Sequence, residues 1–219
     1  MKDWRLIYII FAKSEDKLYI SNKNRQAYFV LLSVCIIFVR INLKNCNVMF
    51  DKETYVQRRA LLKKNIGSGV LLFLGNDEQG LNYEDNAFRY RQDSTFLYYF
   101  GLSFAGLSAI IDIDEDKEII FGDELTIDHI VWMGTQPTLK EKSERVGIRE
   151  TLPSVAIISY LHKAVQKGQT VHYLPPYRPE HKLKLMDWLG IPPARQEGSV
   201  PFIRAVVAQR NYKSAEEIA

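Results

Sequence analysis

Ser108 to Phe121 reads SAIIDIDEDKEIIF. Two short runs rich in isoleucine, Ser108–Asp114 and Glu118–Phe121, flank the polar triplet Glu115-Asp116-Lys117. Alternating β-branched runs joined by a short polar turn form a hairpin. A hairpin places antiparallel strands in a sheet, so any parallel pairing elsewhere makes that sheet mixed.

Upstream, Gly69 to Gly75 (GVLLFLG) is an apolar run of strand length bounded by glycines, which predicts a buried strand. Lys52 to Ile66 predicts a helix. Asp51 stands at its cap, Tyr55, Leu61, Leu62 and Ile66 give a partial apolar face, and Gly67 ends it. Asn76 to Asn86 is polar and acidic, a surface loop. Ser94 to Phe100 suits a short helix capped by Asp93 better than a strand.

Downstream, short strands are expected at Ile130–Met133 and Thr170–Leu174. Helices are expected at Thr138–Arg145, Pro153–Gln166, Glu180–Leu189 and Val200–Asn211, the first three stopped by Gly147, Gly168 and Gly190. Ser214 opens one more helix with Ala215-Glu216-Glu217. Strands interleaved with helices predict an α/β domain: a mixed β-sheet flanked by helices.

Composition divides the chain. Residues 1–48 carry eight Lys/Arg against three Asp/Glu, while the whole chain has a net charge of +3, so the remainder is slightly acidic. The main body has no basic stripe to neutralise phosphates, which argues against nucleic-acid binding. Both cysteines, Cys35 and Cys46, lie in the first segment. That excludes a disulfide framework or a thiolate metal site in the body and fits a cytoplasmic location. Ala27 to Val39 (AYFVLLSVCIIFV) is apolar but falls short of the ~20 residues of a spanning helix, so a membrane partner is not expected. Residues 1–48 read as a leader foreign to the rest and not natively translated, with Met49 as the initiator. Residues 49–211 read as one domain and 212–219 as the start of a linker helix.

Catalytic motifs are missing. There is no G-x-S-x-G, no P-loop and no G-x-G-x-x-G. His129, His162, His172 and His181 show no metal-ligand spacing. Asp112, Asp114 and Asp116 alternate, but lack the bend glycine and distal Glu of a calcium loop. The densest polar and aromatic cluster is Asn82 to Gly101, NYEDNAFRYRQDSTFLYYFG. Arg91 beside Gln92 and Asp93 offers a planar donor fork next to two acceptors, suited to pinning a loop or a peptide carboxylate. The simpler reading is a buried hydrogen-bond knot that holds the loop onto an aromatic core.

Tyr90-Arg91-Gln92-Asp93-Ser94, followed by Phe96, Tyr98 and Gly101, resembles the Y-R-Q-[DN]-S-x-F-x-Y-x-x-G signature of the aminopeptidase P (Xaa-Pro aminopeptidase) family. Leu72 to Asn86 resembles the strand and loop that lead into it. Arg58-Arg59 resembles the family's opening R-R-x-x-L. Arg210-x-x-Lys213-Ser214-x-x-Glu217-Ile218 resembles the R-x-x-K-S-x-x-E-I that opens its linker helix. The resemblance, more distant to creatinase and prolidase, covers Met49 to Ala219.

It implies a creatinase/aminopeptidase P N-terminal domain-like fold. It also implies a complete enzyme, a homo-oligomer, that releases the N-terminal residue of peptides with proline second. That bond is awkward for general peptidases because proline lacks an amide proton and restricts the residue before it. Two manganese ions would be held by two Asp, one His and two Glu of a C-terminal catalytic domain. All five ligands would fall after Ala219, so this chain alone is expected to bind no cofactor and to be inactive. By the same resemblance Tyr90, Arg91, Asp93, Phe96, Tyr98 and Tyr99 serve active-site access or oligomer contact. The alternatives are a stand-alone binding or assembly module and a decayed gene fragment without activity.

Overall fold

The computed structural model describes residues 50–218 apart from 84–85, 128–130, 132–133 and 135. The leader 1–48, Cys35, Cys46, Met49, His129 and all but Val131 of the strand expected at Ile130–Met133 lie outside the described residues.

The elements are α1 (Lys52–Ile66), β1 (Val70–Leu74), α2 (Ser94–Phe100), β2 (Ser108–Asp112), β3 (Lys117–Phe121), α3 (Leu139–Glu144), β4 (Glu150–Leu152), α4 (Ala156–Gln166), β5 (Val171–Tyr173), α5 (Pro179–Leu189), a 3-10 turn at Pro193–Arg195, α6 (Val200–Arg210) and α7 (Ala215–Ile218). The strands form one five-stranded sheet in the order β4-β3-β2-β1-β5. The β2–β3 hairpin forms as expected, with Ile110 opposite Ile119, and β1 adds antiparallel to β2. The two edge strands run parallel to their neighbours, β5 to β1 and β4 to β3. The sheet is therefore mixed, and helices cover it on both sides.

Side chains alternate across the pleat, so each strand feeds two cores. Leu71, Phe73, Ala109, Ile111 and Ile120 face an aromatic layer that includes Tyr55, Phe96, Tyr99, Phe100 and Phe202 of α1, α2 and α6. Val70, Leu72, Ile110, Ile119 and Phe121 face an aliphatic layer with Ile157 and Leu161 of α4 and Leu185 of α5. β1 and β2 are buried almost throughout because both faces are covered, which accounts for their near-continuous apolar runs.

Two details of α1 differ from the sequence reading. Leu61 of α1 is 47% exposed; the buried positions are Tyr55, Arg58, Arg59 and Leu62. Asp51 occupies the cap position of α1 but makes no side-chain cap bond. Asp93 does cap α2, accepting from the Thr95 and Phe96 amides. Thr138 and Glu141 close a capping box on α3. Gly101 ends α2 at φ 64, and a Cβ there would stand 2.4 Å from Tyr55 Cζ, so the αL turn and the close ring both require glycine.

Candidate functional site

The segment Tyr90–Phe100 begins as a knot and ends as core. Gln92, only 2% exposed, sits at the centre of the knot. Its Oε1 accepts from the amides of Asn76 (2.7 Å) and Asp93 (2.9 Å), and its Nε2 donates to the Phe104 carbonyl (2.9 Å). The Tyr90 hydroxyl donates to the same carbonyl at 2.8 Å, and Asn76 Nδ2 to the Arg91 carbonyl at 2.8 Å. Gln92 is thus the pin; Arg91 contributes its backbone while its side chain is exposed. Phe96 and Tyr99 have no exposed surface, and Tyr98 is half-buried. Burial pushes the Tyr90, Tyr98 and Tyr99 hydroxyls above the ordinary phenol value, so at neutral pH they remain donors and none serves as a base.

The polar centre of the aromatic layer is a pair of arginines. Tyr55, Arg58, Arg59 and Leu62 follow the i, i+3, i+4, i+7 spacing of one helix face, so α1 turns both arginines inward. Arg59 is fully buried. Its guanidinium donates to the carbonyls of Tyr99 (2.9 Å) and Val146 (2.9 Å) and to Glu118 Oε2 (2.7 Å). Burial lowers its pKa and Glu118 opposes that. Arg58 lies over the rings of Tyr98 (4.0 Å) and Phe50 (4.6 Å), and donates to the Tyr98 carbonyl at 2.9 Å. The two cations therefore satisfy carbonyls of the last turn of α2, where the helix carries partial negative charge.

The same cluster takes hold of α6 and α7. Gln209 Nε2 donates to the Arg58 carbonyl at 2.8 Å, and the Tyr99 hydroxyl donates to Gln209 Oε1 at 3.1 Å. Arg58 Nη2 pairs with Glu217 Oε1 at 2.5 Å. The other Glu217 oxygen accepts the Ser214 amide at 3.1 Å, so one carboxylate starts α7 and ties it to α1. The chain thus leaves α6 in a fixed direction. This joint went unassigned in the sequence; its signal was two arginines standing at apolar-stripe positions of an otherwise ordinary helix.

The remaining polar candidates are engaged elsewhere. Asp112 accepts from the Tyr160 hydroxyl (2.8 Å) and Gln169 (3.0 Å), Asp114 from the Gly69 amide (3.0 Å), and Asp116 pairs with Lys63 (2.9 Å). His181 is buried and holds the Gly75 carbonyl at 3.1 Å; His172 lies 2.6 Å from the Ser199 hydroxyl. Among the described residues no group of three or more His, Cys, Asp or Glu is placed to hold a metal ion. The described residues therefore do not fit a manganese centre. No helix among them is long and apolar enough to cross a membrane.

Comparison with known proteins agrees with this geometry. A family model, the aminopeptidase P N-terminal domain, matches residues 55–173, more than half of the chain. A probable Xaa-Pro aminopeptidase of Chaetomium globosum is 30% identical over 112 residues, covering 49% of this chain and 18% of that protein. The human Xaa-Pro dipeptidase is 33% identical over 90 residues, covering 40% and 18%. Among solved structures, the Pseudomonas aeruginosa aminopeptidase PepP superposes with a TM-score of 0.64 at 22% identity, over 78% of this chain and 41% of that one. E. coli aminopeptidase P with the inhibitor Pro-Leu gives 0.59 at 19%, over 77% and 40%. These two show the fold, and the chain spans less than a fifth of each of the two sequence relatives.

Proposed function

Since the chain belongs to the aminopeptidase P N-terminal domain family, we propose that it serves as the non-catalytic N-terminal domain of a manganese-dependent Xaa-Pro aminopeptidase. The complete enzyme releases the N-terminal residue of peptides with proline second, in the cytoplasm, as a homo-oligomer. Its metal ligands come from a C-terminal catalytic domain and not from the residues described above. Residues 49–211 form the domain, 212–219 begin the linker to the catalytic part, and 1–48 stand outside both.

The observation that carries the reading is the Glu217 joint. A helix of four residues has no stability of its own, yet α7 is held by a carboxylate bonded at once to its own cap and to an arginine sandwiched between rings. Such an anchor fixes the angle at which a following domain meets this one. Tyr90, Arg91, Asp93 and Tyr98, which retain exposed surface, border the active-site mouth or a neighbouring subunit. Phe96 and Tyr99 support that border from inside the core.

Sequencing the transcript across the Ala219 codon tests the proposal. The expected result is an open frame running into a domain with two Asp, one His and two Glu as metal ligands. A stop codon in that place would overturn it in favour of a stand-alone binding or assembly module or a decayed gene fragment.

A further inference from the structure

β1 and β5 are adjacent and parallel, yet the chain leaves them towards opposite faces of the sheet. After β1 it goes on to α2, in the aromatic layer; after β5 it goes on to α5, in the aliphatic layer. Parallel neighbours whose continuations diverge leave a crevice at their carboxyl ends, the place where open α/β sheets take ligands. A cavity of about 300 Å³ lies there, at the small end of the range for small-molecule sites. Leu74, Tyr173, Pro175, Ile203, Val206 and Val207 make most of its lining apolar.

Two opposite charges, Asp93 and Arg210, also line it. Both are anchored through one residue. Asp93 Oδ1 accepts the Thr95 amide at 2.8 Å, and Arg210 Nη1 donates to Thr95 Oγ1 at 2.7 Å. The second Asp93 oxygen accepts from the Tyr177 hydroxyl at 3.2 Å and has lone pairs to spare. Among the described residues Arg210 uses one of its five N–H donors, on Thr95. The two side chains form no ion pair with each other or with any other described residue. A ligand carrying only a carboxylate would meet Asp93 as a like charge, and one carrying only an amine would meet Arg210. A ligand with both groups close together completes both residues.

We infer that this switch-point crevice binds a small zwitterion with an apolar side chain, an apolar α-amino acid. Its ammonium sits at Asp93, its carboxylate at Arg210, and its side chain between Pro175 and Val206. The site shares Asp93 with the border proposed above, but the inference rests on the cavity and its two charges and not on the peptidase reading.

Titration of the ¹⁵N-labelled full chain with L-leucine, followed by amide chemical shifts, tests the inference. Saturable shifts are expected at Leu74, Tyr173–Tyr177 and Val206–Arg210, with a Kd on the order of 1 mM. 4-Methylpentanoate and 3-methylbutylamine keep the carbon skeleton and lose one charge each; each should bind at least ~10-fold more weakly. Asp93→Asn retains a capping side chain for α2 while removing its charge, and Arg210→Gln removes the cation; each should weaken leucine at least ~10-fold. Val207→Trp, at a half-exposed position, should block the mouth without entering the core. No saturation with leucine up to roughly 20 mM, equal binding of the acid or amine alone, or leucine binding unchanged in the three variants would each overturn the assignment.

Discussion

The two helical layers bury similar strand faces in different ways. The layer of α4 and α5 is aliphatic, built on Leu161, Ile157 and Leu185. The layer of α1, α2 and α6 is aromatic and holds both buried arginines. Apolar packing is non-directional and tolerates exchange at constant volume. A guanidinium with three fixed acceptors is directional and tolerates none. The aliphatic layer is therefore tolerant packing, whereas the arginine layer fixes helix ends, those of α2 and α7 among them.

Conservative substitutions break this contrast most sharply. Leu161→Met should cost less than ~1.5 kcal/mol. Arg59→Met, also close in volume, removes a cation from Glu118 and leaves the Tyr99 and Val146 carbonyls without it; ~3–5 kcal/mol is expected. Urea unfolding of both variants measures the difference. Equal costs would mean that Arg59 acts as packing volume.

A smaller effect belongs to the joint. Glu217→Gln should lower global stability by no more than ~1 kcal/mol, because α7 lies at the margin of the domain. The angle of α7 should respond more than the stability does. Spin labels at Val165 and Ile218 should give a narrow distance distribution in the parent chain and a broad one in Glu217→Gln and Arg58→Ala. A narrow distribution in both variants would remove the joint from the account.

The smallest effect is on pH dependence, and it falls on the side of β5 and α5. Burial holds the His181 and His172 pKa values below the ordinary imidazole value of 6.5. As pH falls, the unfolded chain takes up these protons before the folded one does. The stability they contribute is complete above about pH 6.5 and is lost as pH drops from there through the folded values. Urea midpoints should fall between about pH 7.5 and pH 5.5, and His181→Gln should flatten part of that slope. A midpoint that rises on acidification would reverse the assignment.

Most of the architecture is legible in the sequence because local signals agree with it. The hairpin, the glycine-bounded β1 and the glycine stops of α1 and α5 each carry their own signature. β4 is not legible: Glu150–Leu152 is three residues at a sheet edge and pairs only with distant β3, so nothing local marks it. The site is less legible than the fold. Arg91 looks like the pin of its loop because its fork is chemically suited to the task, but the neutral Gln92 offers donor and acceptor from one buried amide. Leu61 looks like core by hydropathy, yet helical phase gives the inward positions to Arg58 and Arg59. The resemblance found the arginine pair as a motif; its partners in α2 and α7 become visible only in three dimensions.

Manganese binding and peptide hydrolysis by the purified chain test the central claim most directly. After incubation with manganese and desalting, the account predicts no stoichiometric metal and no turnover of a Xaa-Pro peptide above a metal-free control. One or two retained manganese ions per chain, together with proline-specific release of the first residue, would contradict it.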